Sequence, residues 1–420
     1  MVTIIEYILF LLMMITLLFI NKKLRKSVFT VSNYLIVTFS VMTLLQVIAC
    51  YLFDYKKPTI EYWIILTIFI FVAVLTDLGS NRFASRVSLC GVKIKKGDSI
   101  ETWADKNEKK FDIICIVAAL YAIFLFVKLA RGFPNLYYVV QDEFQNEYTR
   151  GINYYIRLLM LIATPYYWGC SKLSKKNIFM GLICLIPNIL TFVKGIVFIP
   201  CLASILLRLK KGDITLSLKA GIAIVLVGIS VFFIVYLSEM GIYNPDILFE
   251  VDTYKFIGSK LINYLIAGVQ SFSQNISENN IDVFRSTDNI TLAPFINIIA
   301  KLNLEKSITP LCTIWQTFGF SSLRGVAVRS NVNTYIGTLY LYNGFLVGLL
   351  LNVFWVFIAS FFDEIASEKL NLVTALSSLF CAGFALGWFE FYFMQPFWIY
   401  LIVITALIEL LFRFKLTIKK

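Results

Sequence analysis

Histidine is absent from all 420 residues. That removes Ser-His-Asp and Cys-His nucleophile systems, imidazole metal ligands and the side chain best suited to proton transfer near neutral pH. Charge is scarce as well, with 15% of residues Asp, Glu, Lys or Arg against roughly 25% in a soluble domain. Eight cysteines stand at positions 50, 90, 115, 170, 184, 201, 312 and 381, no two spaced like a zinc or redox motif. No metal centre and no cofactor is expected from such a set. Apolar residues, by contrast, make up 59% of the chain. A soluble fold could not cover that much apolar surface, and the runs are broken by short basic clusters. The pattern predicts an all-α polytopic integral membrane protein.

Eleven runs are read as spans: Ile4–Ile20, Val28–Phe53, Trp63–Leu78, Phe111–Val127, Ile156–Cys170, Ile178–Phe192, Ile196–Leu209, Ile214–Leu237, Tyr335–Phe357, Leu372–Phe389 and Phe397–Phe412. The first is followed by NKKLRK rather than a cleavage site, so it reads as a membrane helix and not a signal peptide. Residues 178–209 are too long for one crossing and carry basic clusters on both flanks. A hairpin turning at Lys194-Gly195 fits them better. Three regions follow: spans one to eight (1–237), a long external segment with short interfacial helices (238–334), and spans nine to eleven (335–420). The segments proposed to lie inside hold 24 of the Lys and Arg residues and those outside hold 14. The positive-inside rule then puts the N-terminus outside and the C-terminus inside. The net charge of +12 faces anionic membrane lipid, and nucleic acid is not implied.

External cations are the residues to weigh, because charge near the hydrocarbon needs a partner. Lys194 sits at the proposed hairpin, Arg131 ends the fourth span, and Arg150 and Arg157 flank the start of the fifth. Anchoring at the membrane interface is the plain alternative for all four. Arg324 and Arg329, followed by Asn331, Asn333 and Tyr335, form a dense donor cluster before the ninth span. Arginine suits a diphosphate because its planar fork donates paired hydrogen bonds and stays charged. Arg285, in NNIDVFRSTDN, reads as a solvated loop charge paired with nearby acids. Without histidine, a general base has to be a carboxylate or tyrosine. Glu390 stands among aromatics in GWFEFYFMQPFW, where a helix-end acid reaching the headgroups is the plain alternative, and Glu239, Glu250 and Asp252 lie early in the long segment.

The stretch NTYIGTLYLYNGFLVGLL, residues 333–350, resembles Wzy-type O-antigen polymerases, which join oligosaccharide repeat units. That family often opens this span with an Asn-Thr-Tyr-like start and closes it with Gly-x-x-x-Gly. Here those positions are Asn333, Thr334, Tyr335, Gly344 and Gly348. Lys194 stands where the family commonly has arginine opening a helix. The resemblance implies an architecture like that of GT-C-type polymerases and ligases in a bacterial inner membrane. It also implies inverting glycosyl transfer on the periplasmic side, with undecaprenyl-diphosphate-linked glycans as donor and acceptor and a chain-length regulator as a further partner. An O-antigen ligase is similar in topology but characteristically carries a histidine in its long external loop. A flippase or transporter of lipid-linked oligosaccharide is the alternative from another class.

Overall fold

The computed structural model describes the chain apart from residues 1, 53–54, 92–102, 134–135, 172–173, 215–217, 244–245, 247–250, 304–306, 322–325, 367–370 and 414–420. Each apolar run falls in a helix. In order they are α1 (Val2–Arg25), α2 (Val31–Leu52), α3 (Ile60–Gly91), α4 (Trp103–Ala130), α5 (Asp142–Tyr148), α6 (Gly151–Pro165), α7 (Lys175–Ile189), α8 (Lys194–Lys211), α9 (Leu218–Tyr243), α10 (Val251–Ser277), α11 (Ile281–Arg285), α12 (Ala293–Asn303), α13 (Tyr335–Ile365), α14 (Asn371–Ala385) and α15 (Phe397–Arg413). Among the described residues α1 to α4 and α13 each hold a stretch long and apolar enough to cross a membrane, and shorter apolar stretches lie in α9, α14 and α15. Their outward side chains, such as Leu9, Leu12 and Phe19 on α1 or Val117, Leu120 and Phe124 on α4, are exposed hydrocarbon. The chain is a membrane-embedded, multi-pass helical protein.

Helix ends follow local chemistry. α1 closes with Lys22, Lys23 and Arg25 in its last turn, cations that suit the negative end of the helix dipole. Gly212 caps α8 in the left-handed conformation, after Arg208, Lys210 and Lys211. Ser174 caps α7 by accepting from the Asn177 N–H. Residues 178–209 do form two helices, parted at 190–193, where Phe192 takes a positive φ of 55°.

The structure corrects the sequence reading in three places. Residues 238–334 contain one long helix, α10, of 27 residues as well as short ones. They also contain a two-stranded β-hairpin, a local feature of an otherwise helical chain. β1 (Gln316–Ser321) pairs antiparallel with β2 (Val326–Ser330), with Thr317 opposite Arg329 and an irregularity between Thr317 and Gly319. The β-branched Val326 and Val328 alternate with Ala327 and Arg329, a period of two that suits a strand better than a helix.

The third correction concerns the ninth span. α13 is not one straight helix: Gly344 has φ 72° and ψ −173°, a conformation open to glycine alone. The chain folds back there. Tyr335 donates its hydroxyl to Asn352 Oδ1 at 3.0 Å, although 17 residues of unbroken helix would part them by about 25 Å. Likewise a Cβ on Gly348 would lie 2.8 Å from the Leu339 carbonyl oxygen. Residues 335–343 are therefore a short helix packed antiparallel against 345–365.

Contacts divide the chain into two compact units. The first comprises residues 1–91, 262–364 and 383–399; the second comprises 92–261, 365–382 and 400–420. At one end of the first unit, Arg25 is buried among three carboxylates. Its Nη2 lies 3.7 Å from both Asp77 and Asp363, and its Nη1 3.2 Å from Glu364. The Asn81 carboxamide, oriented oxygen-inward, also faces the guanidinium. Asp77 accepts from the Ser32 hydroxyl at 2.5 Å and from the Ser32 N–H, and so holds the start of α2. In the second unit α4, α6, α7 and α8 pack on one another, and α5 covers one end with Phe144 and Tyr148 against Phe126 and Phe133.

Candidate functional site

At the other end of the first unit, irregular backbone is packed between helices. The half-helix 335–343 starts at Thr334, whose hydroxyl caps the Gly337 N–H at 2.8 Å. The Tyr335 N–H bonds the Gly387 carbonyl at 2.5 Å, so the loop 386–396 is held beside it. Phe391 and Phe393 fix that loop by packing on Tyr335, and Phe393 also stacks on Trp355 at 5.0 Å. α12 joins the group through Phe295, which meets Phe354 and Trp355. α10 runs so close to the loop that a Cβ on Gly268 would strike the carbonyls of Trp388 and Phe389. In hydrocarbon, non-helical backbone persists only where protein buries it or where it lines an aqueous site. Two short helices, α12 and residues 335–343, converge here with one irregular stretch, residues 386–396.

Glu390 lies in this loop. It is half-buried beside Phe389, which stacks on Tyr264 at 5.2 Å. Among the described residues no side chain bonds or pairs with its carboxylate. Desolvation pushes its carboxyl up to about 7. Burial first and the nearby Glu390 second hold the Tyr392 phenol well above its ordinary value, so that phenol stays neutral. An unpaired carboxyl that titrates near neutrality is the equipment of a general base. Of the other three acids singled out in the sequence, Glu250 lies outside the described residues, and Glu239 on α9 and Asp252 on α10 have undescribed side chains.

The donor cluster before α13 is used differently by its members. Asn333 is buried, and its Oδ1 accepts from Ser271 and Asn275 at 3.2 Å each. Asn331 donates to the Cys312 carbonyl at 2.9 Å. Tyr335 is sealed in aromatic packing. Asn333 ties the start of α13 to α10, Asn331 ties it to the segment at Cys312, and Tyr335 ties it to Asn352 and to Phe384, Phe391 and Phe393. Arg329 is exposed on β2, and Arg324 lies outside the described residues. The packing continues through Gln46, which donates to Gln270 Oε1 and Val269 O and accepts from the Tyr62 hydroxyl.

Arg285 is exposed, in keeping with its reading as a solvated charge, but the expected pairing with acids is not seen among the described residues. Its guanidinium fills the space that a Cβ would take on Gly344. Asn343, just before the break, exchanges hydrogen bonds with Asn289 and Thr291. The missed signal was the Asn-Gly pair at 343–344, a dipeptide that marks turns more often than helix interiors.

The remaining cations belong to the second unit. Arg131 and Arg150 are exposed, and Lys194 opens α8, its side chain undescribed. Arg157 on α6 is buried with 7% exposure, and its Nε has no hydrogen-bond partner. Its carbonyl accepts from Asn188 Nδ2 at 3.4 Å, next to the α7–α8 turn. Tyr154 and Tyr155, on the same helix, meet Tyr400 edge-on at 5.8 and 6.1 Å. No group of metal-ligating side chains occurs among the described residues.

No curated protein and no solved structure matches the chain. One family model does, over residues 50–418, nearly the whole length. The chain belongs to DUF6337, a family of unknown function.

Proposed function

We propose that the protein polymerises undecaprenyl-diphosphate-linked oligosaccharide repeat units on the periplasmic side of a bacterial inner membrane. Eleven spans would place the N-terminus in the periplasm and the C-terminus in the cytoplasm. In the reaction, the terminal sugar hydroxyl of one lipid-linked unit attacks the anomeric carbon of another. The carbon–oxygen bond to the diphosphate breaks with inversion, and the hydroxyl proton passes to a carboxylate. Arginine and lysine side chains of the external segments stabilise the leaving undecaprenyl diphosphate. The observation that carries this reading is Glu390, an unpaired carboxyl in a loop held between helices, with its pKa raised to about 7 by burial.

The test is Glu390→Gln in purified protein supplied with undecaprenyl-diphosphate-linked repeat units, read as a polysaccharide ladder. Loss of a general base lowers such a rate by roughly 10²–10⁴-fold. The wild-type rate should climb as pH rises through about 7, where the carboxyl ionises. The variant should lose that limb. Stability works in the opposite direction, because the folded state holds this proton more tightly than the unfolded chain. Stability is therefore greatest below the ordinary carboxylate value and falls as pH rises toward 7, and the variant should remove that slope. A normal ladder from well-expressed Glu390→Gln would end Glu390's part in the mechanism. No ladder from wild type would end the polymerase reading.

One observation favours the transporter alternative. Broken helices beside a cation are typical of substrate sites in transporters, and Gly344 with Arg285 is such a pair. Deleting the gene separates the two. Single units reaching the cell surface without chain extension indicate a polymerase, whereas units stranded on the inner face indicate a flippase.

A further inference from the structure

Arg157 sits in the second unit as a buried cation without a counter-ion. Among the described residues no carboxylate comes within ion-pair distance of it, and its Nε is sealed from solvent with nothing to donate to. A guanidinium so placed loses hydration without compensation unless an anion joins it. Around it the same thing happens to acceptors. Gln145, Asn153 and Asn188, on α5, α6 and α7, each donate their NH₂ to a main-chain carbonyl. Gln145 bonds Val139 and Leu190, Asn153 bonds Tyr148, and Asn188 bonds Arg157. All three leave the amide oxygen buried and unbonded.

These groups share one end of the bundle. Asn153 lies one turn before Arg157 on α6, and Tyr148, which accepts from Asn153, donates its hydroxyl to the Pro187 carbonyl beside Asn188. The requirement they leave unmet is double: an oxyanion for the guanidinium, and O–H donors for three amide oxygens. Water satisfies the second demand but not the first, and a bare anion satisfies the first but not the second.

We propose that this end of the second unit binds a hydroxyl-bearing phosphate, a sugar or polyol phosphate, with the oxyanion on Arg157 and its hydroxyls on Asn188, Asn153 and Gln145. The site stands on the second unit alone and holds whether the protein transfers glycans or transports them.

The test is thermal unfolding of the detergent-purified full chain with four added probes: glucose 1-phosphate, inorganic phosphate, glucuronate, and phosphatidylglycerol in mixed micelles. Glucose 1-phosphate should raise the midpoint and bind at least about 10-fold more tightly than inorganic phosphate, the factor that one satisfied hydrogen bond supplies. A response to phosphatidylglycerol but not to glucose 1-phosphate would assign the site to a lipid headgroup. A response to glucose 1-phosphate alone would assign it to a free or glycan-linked phosphate. Arg157→Gln should abolish the shift and Arg157→Lys should weaken it. Asn188→Leu keeps the cation, so it should reduce glucose 1-phosphate binding and leave inorganic phosphate unchanged. The proposal fails if none of glucose 1-phosphate, inorganic phosphate and phosphatidylglycerol shifts the midpoint, if glucuronate binds as tightly as glucose 1-phosphate, or if Asn188→Leu weakens glucose 1-phosphate and inorganic phosphate equally.

Discussion

The guanidinium side chains of Arg25 and Arg157 are both withdrawn from solvent and have opposite surroundings. The Arg25 side chain, 5% exposed, is enclosed by Asp77, Asp363 and Glu364. Arg157, 7% exposed, has no carboxylate near it among the described residues and an Nε with no partner. Arg25 joins the end of α1 to α3 and to the far end of α13, and through Asp77 to the start of α2. Its charge is consumed by the fold. Among the described residues Arg157 joins nothing by its guanidinium, so its charge is open to a ligand. Burial of a cation does not by itself indicate function; what matters is whether the fold has already supplied the anion.

Substitutions can break that comparison. Arg25→Met should have the largest effect, destabilising the protein by about 3–5 kcal/mol, because it strands buried carboxylates. Denaturant unfolding in detergent measures this. Asp77→Asn should cost less, about 1–3 kcal/mol, since the amide oxygen still accepts from Ser32 while the ion pair is lost. Arg157→Met, in the absence of any phosphate compound, should be neutral or stabilising, because no protein partner is left behind. If it destabilises as much as Arg25→Met, the two arginines are not different in kind. The exposed pair of Lys56 and Glu278, 3.4 Å apart, gives the lower limit: Lys56→Gln should change stability by only about 0–1 kcal/mol. Burial alone would raise the Glu278 carboxyl, but Gln274, Gln316, Lys56 and Asn280 outweigh it and hold it below its ordinary value. Whatever that carboxylate contributes is present above the ordinary carboxylate range and is lost on acidification through its lowered value.

Much of the candidate site could be read from sequence only as a list of residue types. The GWFEFYFMQPFW stretch pointed to Glu390 because an acid among aromatics is unusual. Its unpaired state depends on Gly268, Tyr335 and Phe393, which come from distant parts of the chain. Asn333 and Tyr335 looked like ligand donors by composition, yet both face inward, Asn333 onto Ser271 and Asn275 of α10 and Tyr335 onto Asn352. Arg285 read as solvated because its loop is polar, and it is exposed. Its position against Gly344 arises only because that glycine turns the chain back on itself.

Composition and periodicity determined by themselves that this is a helical membrane protein, and the apolar runs located its long helices. Hydrocarbon demands that every backbone polar group be satisfied within its own segment, so length and hydropathy suffice for that conclusion. The absence of histidine likewise excluded whole classes of chemistry without any coordinates. Tertiary structure alone decided that α13 folds back at Gly344, that Arg25 is neutralised, and that Arg157 is not. Those outcomes depend on which side chains from remote segments meet, and pairing of that kind leaves no local periodicity in the sequence.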